Sequence, residues 1–572
     1  MDRRFVLAIV LMMVVFIVPP MLIKRAPRPV APPPATVQPP SPAPSAIPPR
    51  PAVIAPGPAE LPAAGSVPED TVEVRSGLYR YAFSTRGGRL IAAEFLGYRS
   101  MRPDERGARA QILAPTSQLQ SLALLLGTDT IPLRDLDFRP SVRRLEVADR
   151  PATLAWTATR DSTLGVEIEY TFVPADYRVE VRGKVAGLGA TGGTLLIGMG
   201  PGPRNTESDS VEHARELGVV TKNLRSEITS FSKLKPGVSE TLAGPFDWIA
   251  VKNKYFVTAV IVADTAENAS GRFGGVQLTA TDRDRKTPEA ADLWASLGMA
   301  SDGRFGYSLY VGPMEYPRLR SVGHGFDDIN PYGWAWLRPL IRPVAVGARW
   351  LLVAMHEQLG IAYGLVLVVF GILIRLVLWP LNQRAMRASM AMQAIQPVLK
   401  EIQETHKNEP QRLQQEMFKV YKENKVNPFS GCWPLLLPWP VMIALFFVFQ
   451  NSIELRGQAF LWVPDLSRPD PLYVIPVVMA VSMFGVTKVG QMGLPPNPQM
   501  KMMLYLMPAM MLVLFLNFAS GLNLYYAIQN LASIPQQWMI AQERMRKAPL
   551  AAPTQPPPPQ APRPKPTKGP KR

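Results

Sequence analysis

The chain has 572 residues, of which 47% are hydrophobic and only 19% are charged, with a net charge of +17. Soluble proteins usually carry more charge, near 25%, so this composition points to segments that lie in a membrane. The single cysteine, Cys432, excludes an intramolecular disulfide, and the four histidines are too scattered for a zinc site. The sequence has no phosphate-binding glycine loop and no serine nucleophile elbow, which argues against nucleotide hydrolysis and covalent catalysis.

The first 25 residues read as a membrane anchor. An apolar run over residues 5–23 follows Arg3 and Arg4, as in both signal peptides and uncleaved anchors. Since no small-residue cleavage site follows the run, the sequence favours the anchor. Residues 26–68 are dense in proline and alanine, a composition typical of a semi-rigid extended linker.

Residues 69–322 alternate in hydrophobicity with a period of two, which predicts β-strands. Examples are LYRYAF at 78–83 and VEIEYTF at 166–172, separated by turn signals such as RGG at 86–88. A long helical pattern is lacking, so the region is predicted to be a large all-β sandwich domain. We find no catalytic cluster within it.

Residues 330–359 carry apolar side chains at helical spacing, with Arg338, Arg342 and Arg349 on an adjoining face. Pro339 and Pro343 predict a break or kink in this helix. An amphipathic helix here either packs on the β domain or lies on the membrane surface, and we favour the interfacial position.

Five more apolar segments follow, at residues 360–381, 433–450, 472–487, 502–518 and 521–538. Each approaches the length that crosses about 30 Å of hydrocarbon, although several are short. With the anchor they predict six transmembrane helices, the last five forming a core over residues 360–540. Basic residues concentrate in the loop at 382–430 and in the tail at 541–572, whose composition predicts disorder. This charge predicts that both lie in the cytoplasm and the β domain outside.

Residues 382–430 contain two helical patterns separated by a break at 406–410, which predict an antiparallel helical hairpin. Met386, Met390 and Met417 are candidates for contact with a substrate, since methionine suits adaptable apolar contacts. The same methionines also fit an ordinary hairpin core.

Within the proposed spans, the only charged side chain is Arg375. A charge at the bilayer centre costs about 2.5–3.5 kcal/mol on insertion scales, so a functional role is favoured over snorkelling to the interface. No carboxylate lies in the other spans to pair with it, which indicates a wet cavity rather than an ion-coupled transport site. The polar residues that can line such a cavity, or simply join helices, are Gln450, Asn451, Thr487, Asn517, Asn523, Gln529 and Asn530.

Several motifs resemble the YidC membrane protein insertase family. Besides Arg375 and the hairpin, they are KVNPFSGCWPLL at 425–436, IELR at 453–456, SGLNLYY at 520–526, TRGG at 85–88 and LYVGP at 309–313. Two positions depart from the family pattern. Ser430 stands where glycine is expected, and Gly371, one turn before Arg375, stands where some members have a hydroxyl.

The resemblance implies a bacterial inner-membrane insertase without cofactors or enzymatic activity. It implies a five-helix core with a hydrophilic groove lined by Arg375, Gln450, Asn517, Asn523, Tyr525, Tyr526 and Asn530. The implied partners are nascent membrane proteins, the Sec translocon and anionic lipids, with the ribosome and the signal recognition particle receptor as further candidates. A secondary transporter of small anions that binds them at Arg375 is the alternative function, although obvious repeated halves are absent.

Overall fold

The structure is a computed structural model of the chain. It describes residues 70–547 apart from 106, 161–163, 189–192, 264–270, 282–288, 334–335, 408, 425–438 and 495–497. The predicted anchor, the linker, the motif at 425–436 and most of the basic tail lie outside the described residues.

The first part of the described chain is built from three β-sheets. A five-stranded sheet has the order β4-β3-β2-β1-β8, in which only β1 and β8 pair in parallel. Its strands are β1 Thr71–Ser76, β2 Tyr79–Ser84, β3 Leu90–Arg99, β4 Arg109–Gln111 and β8 Arg144–Val147. Strand β2 buries Tyr79, Tyr81 and Phe83 on one face, as its alternating pattern predicts.

A nine-stranded antiparallel sheet has the order β14-β13-β16-β17-β20-β11-β10-β9-β7. Its strands are β7 Arg139–Pro140, β9 Ala152–Arg160, β10 Leu164–Phe172, β11 Arg178–Ala186, β13 Gly218–Lys222, β14 Ser226–Ser230, β16 Trp248–Lys252, β17 Phe256–Val262 and β20 Arg304–Pro313. A six-stranded sheet has the order β15-β18-β19-β12-β5-β6. Its strands are β5 Leu122–Leu126, β6 Asp129–Pro132, β12 Thr194–Gly198, β15 Ser239–Phe246, β18 Phe273–Ala280 and β19 Ala291–Gly298.

One continuous apolar core joins the sheets and confirms the predicted β domain. Phe83 of the five-stranded sheet lies 5.3 Å from the ring centroid of Tyr170 and 6.3 Å from that of Trp156, both in the nine-stranded sheet. Phe95 and Phe256 stack across the same interface at 5.4 Å. Such aromatic pairs bury large apolar areas, so the sheets are held mainly by their facing side chains.

The second part of the chain is helical, after two short helices that belong to the β region. The helices are α1 Ser210–Glu216, α2 Tyr316–Ser321, α3 Arg338–Leu359, α4 Tyr363–Val377, α5 Trp379–Ala394, α6 Gln396–Thr405, α7 Pro410–Glu423, α8 Trp439–Gln450, α9 Val474–Gly490, α10 Pro498–Phe515 and α11 Ser520–Lys547. Short 3-10 turns lie at Pro103–Glu105, Phe231–Lys233, Phe326–Asp328 and Ile453–Leu455.

The sequence predicts a break or kink at the two prolines of α3, and the structure shows no break at either. The helix begins only at Arg338, so Pro339 falls in the first turn, where no backbone N–H is needed, and it continues past Pro343 without a break. All three of its arginines face the β domain. Arg338 donates to the Ser226 carbonyl at 3.0 Å, Arg342 lies 3.8 Å from Asp328, and Arg349 donates to the Met314 carbonyl at 3.1 Å. Large apolar side chains remain exposed on and just before the helix, namely Trp336, Leu340 and Trp350.

Helices α3, α4, α8, α9 and α11 share a second apolar core, separate from that of the β domain. It joins Ile341 of α3, Phe370 of α4, Phe449 of α8 and Tyr525 of α11. Helices α4, α8, α9, α10 and α11 correspond to the five apolar segments predicted after residue 359. Among the residues that the structure describes, no helix combines the length and the apolar character that a membrane crossing requires.

The β domain contains a buried histidine that makes its stability sensitive to acid. Burial, assisted by the charge of Arg102, lowers the pKa of His213 from 6.5 to about 4. Its stabilising effect is therefore complete above pH 6.5 and is lost as the pH falls toward 4, because the unfolded chain then binds the extra proton. We expect His213 to account for about 2 kcal/mol of the stability lost between pH 7 and pH 5.

Urea unfolding of the full-length protein in detergent at both pH values measures this effect through the circular dichroism of the strands. The variant His213→Leu should have a smaller pH dependence than the wild type. The same pH dependence in both proteins would contradict the assignment.

Candidate functional site

Arg375 lies near the C-terminal end of α4 and is half-buried between helices. Its Nη2 donates a hydrogen bond to Oε1 of Gln536 in α11, with a distance of 2.7 Å between the two atoms. Gln536 is only 1% exposed, and its Nε2 donates to the backbone carbonyl of Trp379 at 3.0 Å. In the described part of the chain, no carboxylate forms an ion pair with Arg375, so its charge is met by neutral dipoles.

A close approach of α4 and α11 creates this arrangement. A Cβ atom added at Gly371 would lie 3.2 Å from Cγ2 of Ile528 and 3.6 Å from a ring carbon of Tyr525. The missing side chain therefore allows α11 to pack tightly one turn before Arg375. Because Pro380 has no N–H to donate to the carbonyl four residues earlier, the chain turns at Leu378 between α4 and α5.

The two predicted groove tyrosines occupy different environments. Tyr525 is fully buried, and its ring lies 5.5 Å from that of Phe449 and 5.8 Å from that of Phe370. Its hydroxyl has no hydrogen-bond partner among the described residues. Tyr526 is partly exposed and donates to the Met442 carbonyl at 3.2 Å, which ties α11 to α8.

The predicted asparagines are distributed along α11 and the turn before it. Asn523 is buried and donates to the carbonyl of Phe515 at 3.0 Å, so it fixes the turn between α10 and α11. Asn517 lies exposed in that turn. Asn530 donates to Ser482 Oγ at 3.3 Å and thereby joins α9 to α11. These residues do not form one cluster with Arg375.

The residue that does contact Arg375, Gln536, was missed from the sequence. Gln450, which was singled out, is the half-buried last residue of α8. The sequence of α11 does contain a pattern that predicts a polar face. Gln529, Ser533 and Gln536 are spaced so that they lie on the same side of a helix. Ser533 and Gln536 are buried, whereas the apolar Leu531 and Trp538 are exposed. A buried polar face on a helix with an exposed apolar face indicates a polar interior.

The hairpin is divided more finely than predicted, into α5, α6 and α7, with α5 ending at Ala394 and α6 beginning at Gln396. A small apolar core joins Ile395, which immediately precedes α6, and Leu399 of α6 to Val420 of α7. Met417 packs against this core, Met386 is half-buried in α5, and Met390 also lies in α5. The most exposed large apolar side chain of α7 is Phe418, at 62%.

The IELR motif connects the helical domain to the β domain. Glu454 accepts hydrogen bonds from Arg349 Nη2 at 3.1 Å and from the backbone N–H of Tyr316 at 3.2 Å. Burial opposes ionisation of Glu454, but Arg349 lowers the pKa of its carboxyl below the ordinary value. Arg456 is also buried, and its Nε donates to Glu207 at 2.9 Å. We name the four charged residues Arg349, Glu454, Arg456 and Glu207 the domain junction.

The SGLNLYY motif anchors the first turn of α11 through hydrogen bonds to the loop that precedes α9. Ser520 Oγ donates to the Arg468 carbonyl at 2.6 Å, and the backbone N–H of Gly521 donates to the Leu466 carbonyl at 2.8 Å. A Cβ at Gly521 would lie 3.2 Å from that same Leu466 oxygen, so a small residue is needed there. The described residues include no cluster of histidine, cysteine and acidic side chains suited to a metal ion.

Two family models match the chain. The model described as the YidC periplasmic domain matches residues 71–344, and the one described as 60Kd inner membrane protein matches residues 354–548. Together with the β domain and the helical domain, these matches define an inner-membrane protein with a periplasmic domain.

Curated relatives extend over most of the chain. The membrane protein insertase YidC of Chlorobaculum tepidum is 30% identical over 499 residues, which are 82% of this chain and 81% of that protein. The YidC insertase of Chlorobaculum parvum is 31% identical over 504 residues, 83% of this chain and 82% of the relative. The chain therefore belongs to the YidC membrane protein insertase family, whose members are insertases and not enzymes.

Solved structures include a similar protein described as an active YidC insertase with the first transmembrane domain resolved. It is 16% identical, covers 83% of this chain and 93% of its own, and superposes with a TM-score of 0.33.

Proposed function

We propose that this protein inserts membrane proteins into the bacterial inner membrane through a hydrophilic groove that contains Arg375. The observation that carries the proposal is a half-buried arginine at the end of an apolar helix that bonds to a neutral glutamine. Pairing with a carboxylate would cancel the charge of the guanidinium, whereas a glutamine orients it and leaves the charge available.

In this proposal, α4 and α8 to α11 lie in the bilayer, and the N-terminal segment adds a sixth crossing. At about 1.5 Å per residue, the 15 residues of α4 and the 17 of α9 fall short of about 30 Å of hydrocarbon. Short helices thin the surrounding lipid, which shortens the dry path of a substrate. The exposed Trp336 and Trp350 fit an interfacial position for α3, because tryptophan favours the membrane–water boundary.

Insertion then needs no covalent chemistry. An acidic substrate tail is attracted to Arg375 in the groove, which lowers the cost of carrying charge part of the way across the bilayer. The apolar segment of the substrate leaves along α8 and α10, and Tyr505, Val513 and Leu514 of α10 are exposed. Transfer of this segment into lipid drives the step, and the membrane potential assists it.

The hairpin and the basic tail face the cytoplasm in this arrangement, in keeping with their positive charge. Nascent membrane proteins are the substrates. The Sec translocon, the ribosome, the signal recognition particle receptor and anionic lipids are the further partners, the last three through the basic cytoplasmic segments.

Reconstitution of the purified protein into liposomes tests the function. Insertion of a small coat-like membrane protein, measured by protection from added protease, is the expected result. Uptake of small anions without insertion would instead favour a transporter. Liposomes without the protein provide the control for spontaneous insertion.

The hairpin provides a separate prediction about where substrates are first received. A photo-cross-linker at Phe418 is expected to trap nascent chains earlier than one at Val398 of α6, because Phe418 is 62% exposed and Val398 is 45% exposed. A cross-linker at the buried Val420 serves as the control, since its side chain packs inside the hairpin. Early cross-links in the apolar helices alone would contradict the prediction.

A further inference from the structure

The side chain of Gln536 links three helices. Its oxygen accepts from Arg375 of α4 at 2.7 Å, and its nitrogen donates at 3.0 Å to the carbonyl of Trp379, the first residue of α5. Gln536 itself belongs to α11 and is 1% exposed. Both ends of the amide are therefore used inside the protein, and its orientation is fixed.

The two bonds lie on opposite sides of the turn at Leu378. Arg375 precedes this turn and Trp379 follows it, so Gln536 fastens both chain segments to the same point of α11. Since an arginine side chain has several freely rotating bonds, its position near a helix end requires such a restraint. Among the described residues, Gln536 is the only side chain found within hydrogen-bond distance of the guanidinium.

The chemistry of the amide suits this role. A glutamine can accept from the guanidinium and donate to a carbonyl at the same time, and it does so without a charge. A glutamate at this place would form an ion pair with Arg375 and would lose the donor to Trp379. An apolar residue would leave the guanidinium unrestrained.

We infer that Gln536 is a positioning residue, which holds the Arg375 guanidinium toward the acidic tails of substrates while leaving its charge uncancelled. The inference rests on the proposed function and adds a specific residue to it.

The experiment compares insertion of two substrates that differ only in their tails, one neutral and one with two acidic residues. The quantity measured is the ratio of their insertion rates in liposomes that contain the full-length protein. Gln536→Leu is expected to lower the relative rate of the acidic substrate about fivefold, since a hydrogen bond to a charged group is lost. Gln536→Glu, which keeps the size of the side chain, should lower it to the value of Arg375→Ala.

The control is Gln537→Leu, at a half-buried neighbour in the same helix that lies near Gly490 rather than Arg375. This control should keep the wild-type ratio. If both substrates slow equally in the Gln536 variants, the role is structural and the inference is wrong. If Arg375→Ala changes the ratio and neither Gln536 variant does, the inference alone fails. A ratio unchanged in Arg375→Ala would overturn the proposed groove itself.

Discussion

Replacing Arg375 with alanine is expected to slow insertion of a substrate with two acidic tail residues about tenfold, and to affect a neutral tail little. Opposite charges 4 Å apart attract by roughly 1 kcal/mol in water and 4 kcal/mol at an effective dielectric constant of 20. A half-buried guanidinium lies between these limits. Arg375→Glu should be worse than alanine on acidic tails, because it replaces attraction with repulsion.

Lysine at the same position distinguishes charge from geometry. It keeps the positive charge but not the planar fork that Gln536 holds. We expect Arg375→Lys to retain much of the activity. Arg544→Ala is the matched control, because Arg544 lies on the same helix as Gln536 and donates to the Gly490 carbonyl at 2.9 Å. An alanine variant of Arg375 that inserts all tails at the wild-type rate would refute the role of its charge.

Removal of Glu454 is expected to cause the largest loss of stability. Glu454 and Arg349 form a buried ion pair, with side chains that are 11% and 5% exposed. Glu454→Ala leaves the guanidinium of Arg349 buried without its counter-charge, which typically costs about 3–5 kcal/mol. Thermal unfolding of the detergent-solubilised protein, monitored separately for strands and helices, measures the loss.

Two comparisons make the Glu454 prediction specific. Glu409→Ala removes an exposed ion pair with Arg412 and should cost less than about 1 kcal/mol. The pKa of Glu454 is lowered, so its contribution is present above the ordinary carboxyl pKa and is lost as the pH falls through the lower value of the folded protein. Equal stability of the Glu454→Ala and Glu409→Ala variants would contradict a structural role for the domain junction.

The sequence predicted the kinds of elements better than their contacts. The period-two runs of the β domain and the apolar helical segments follow from local patterns, and the structure contains both. The sequence predicts a break or kink at Pro339 and Pro343, but the structure shows no break. The helix starts at Arg338, so Pro339 falls in its first turn, and Arg338 and Arg349 hold the helix on the β domain. Local patterns do not contain this tertiary support.

The partners of polar residues were harder to predict. Asn523, Asn530 and Gln536 all lie on α11 and have the same chemical character, yet one fixes a turn, one joins α9 and one bonds to Arg375. Which helix faces each residue depends on the packing of the whole bundle. The contacts of the domain junction likewise could not be predicted from local patterns, since Glu207 and Arg456 are 249 positions apart in the chain.

The close packing at Gly371 has a consequence for the evolution of this helix pair. A side chain at position 371 must share its space with Ile528, whose Cγ2 would lie 3.2 Å from the new Cβ. A serine there therefore requires Ile528 to move by a few tenths of an ångström, and a smaller or differently branched residue at position 528 relieves the contact. We expect these two positions to covary among relatives, with a hydroxyl on α4 accompanied by a reduction in volume on α11.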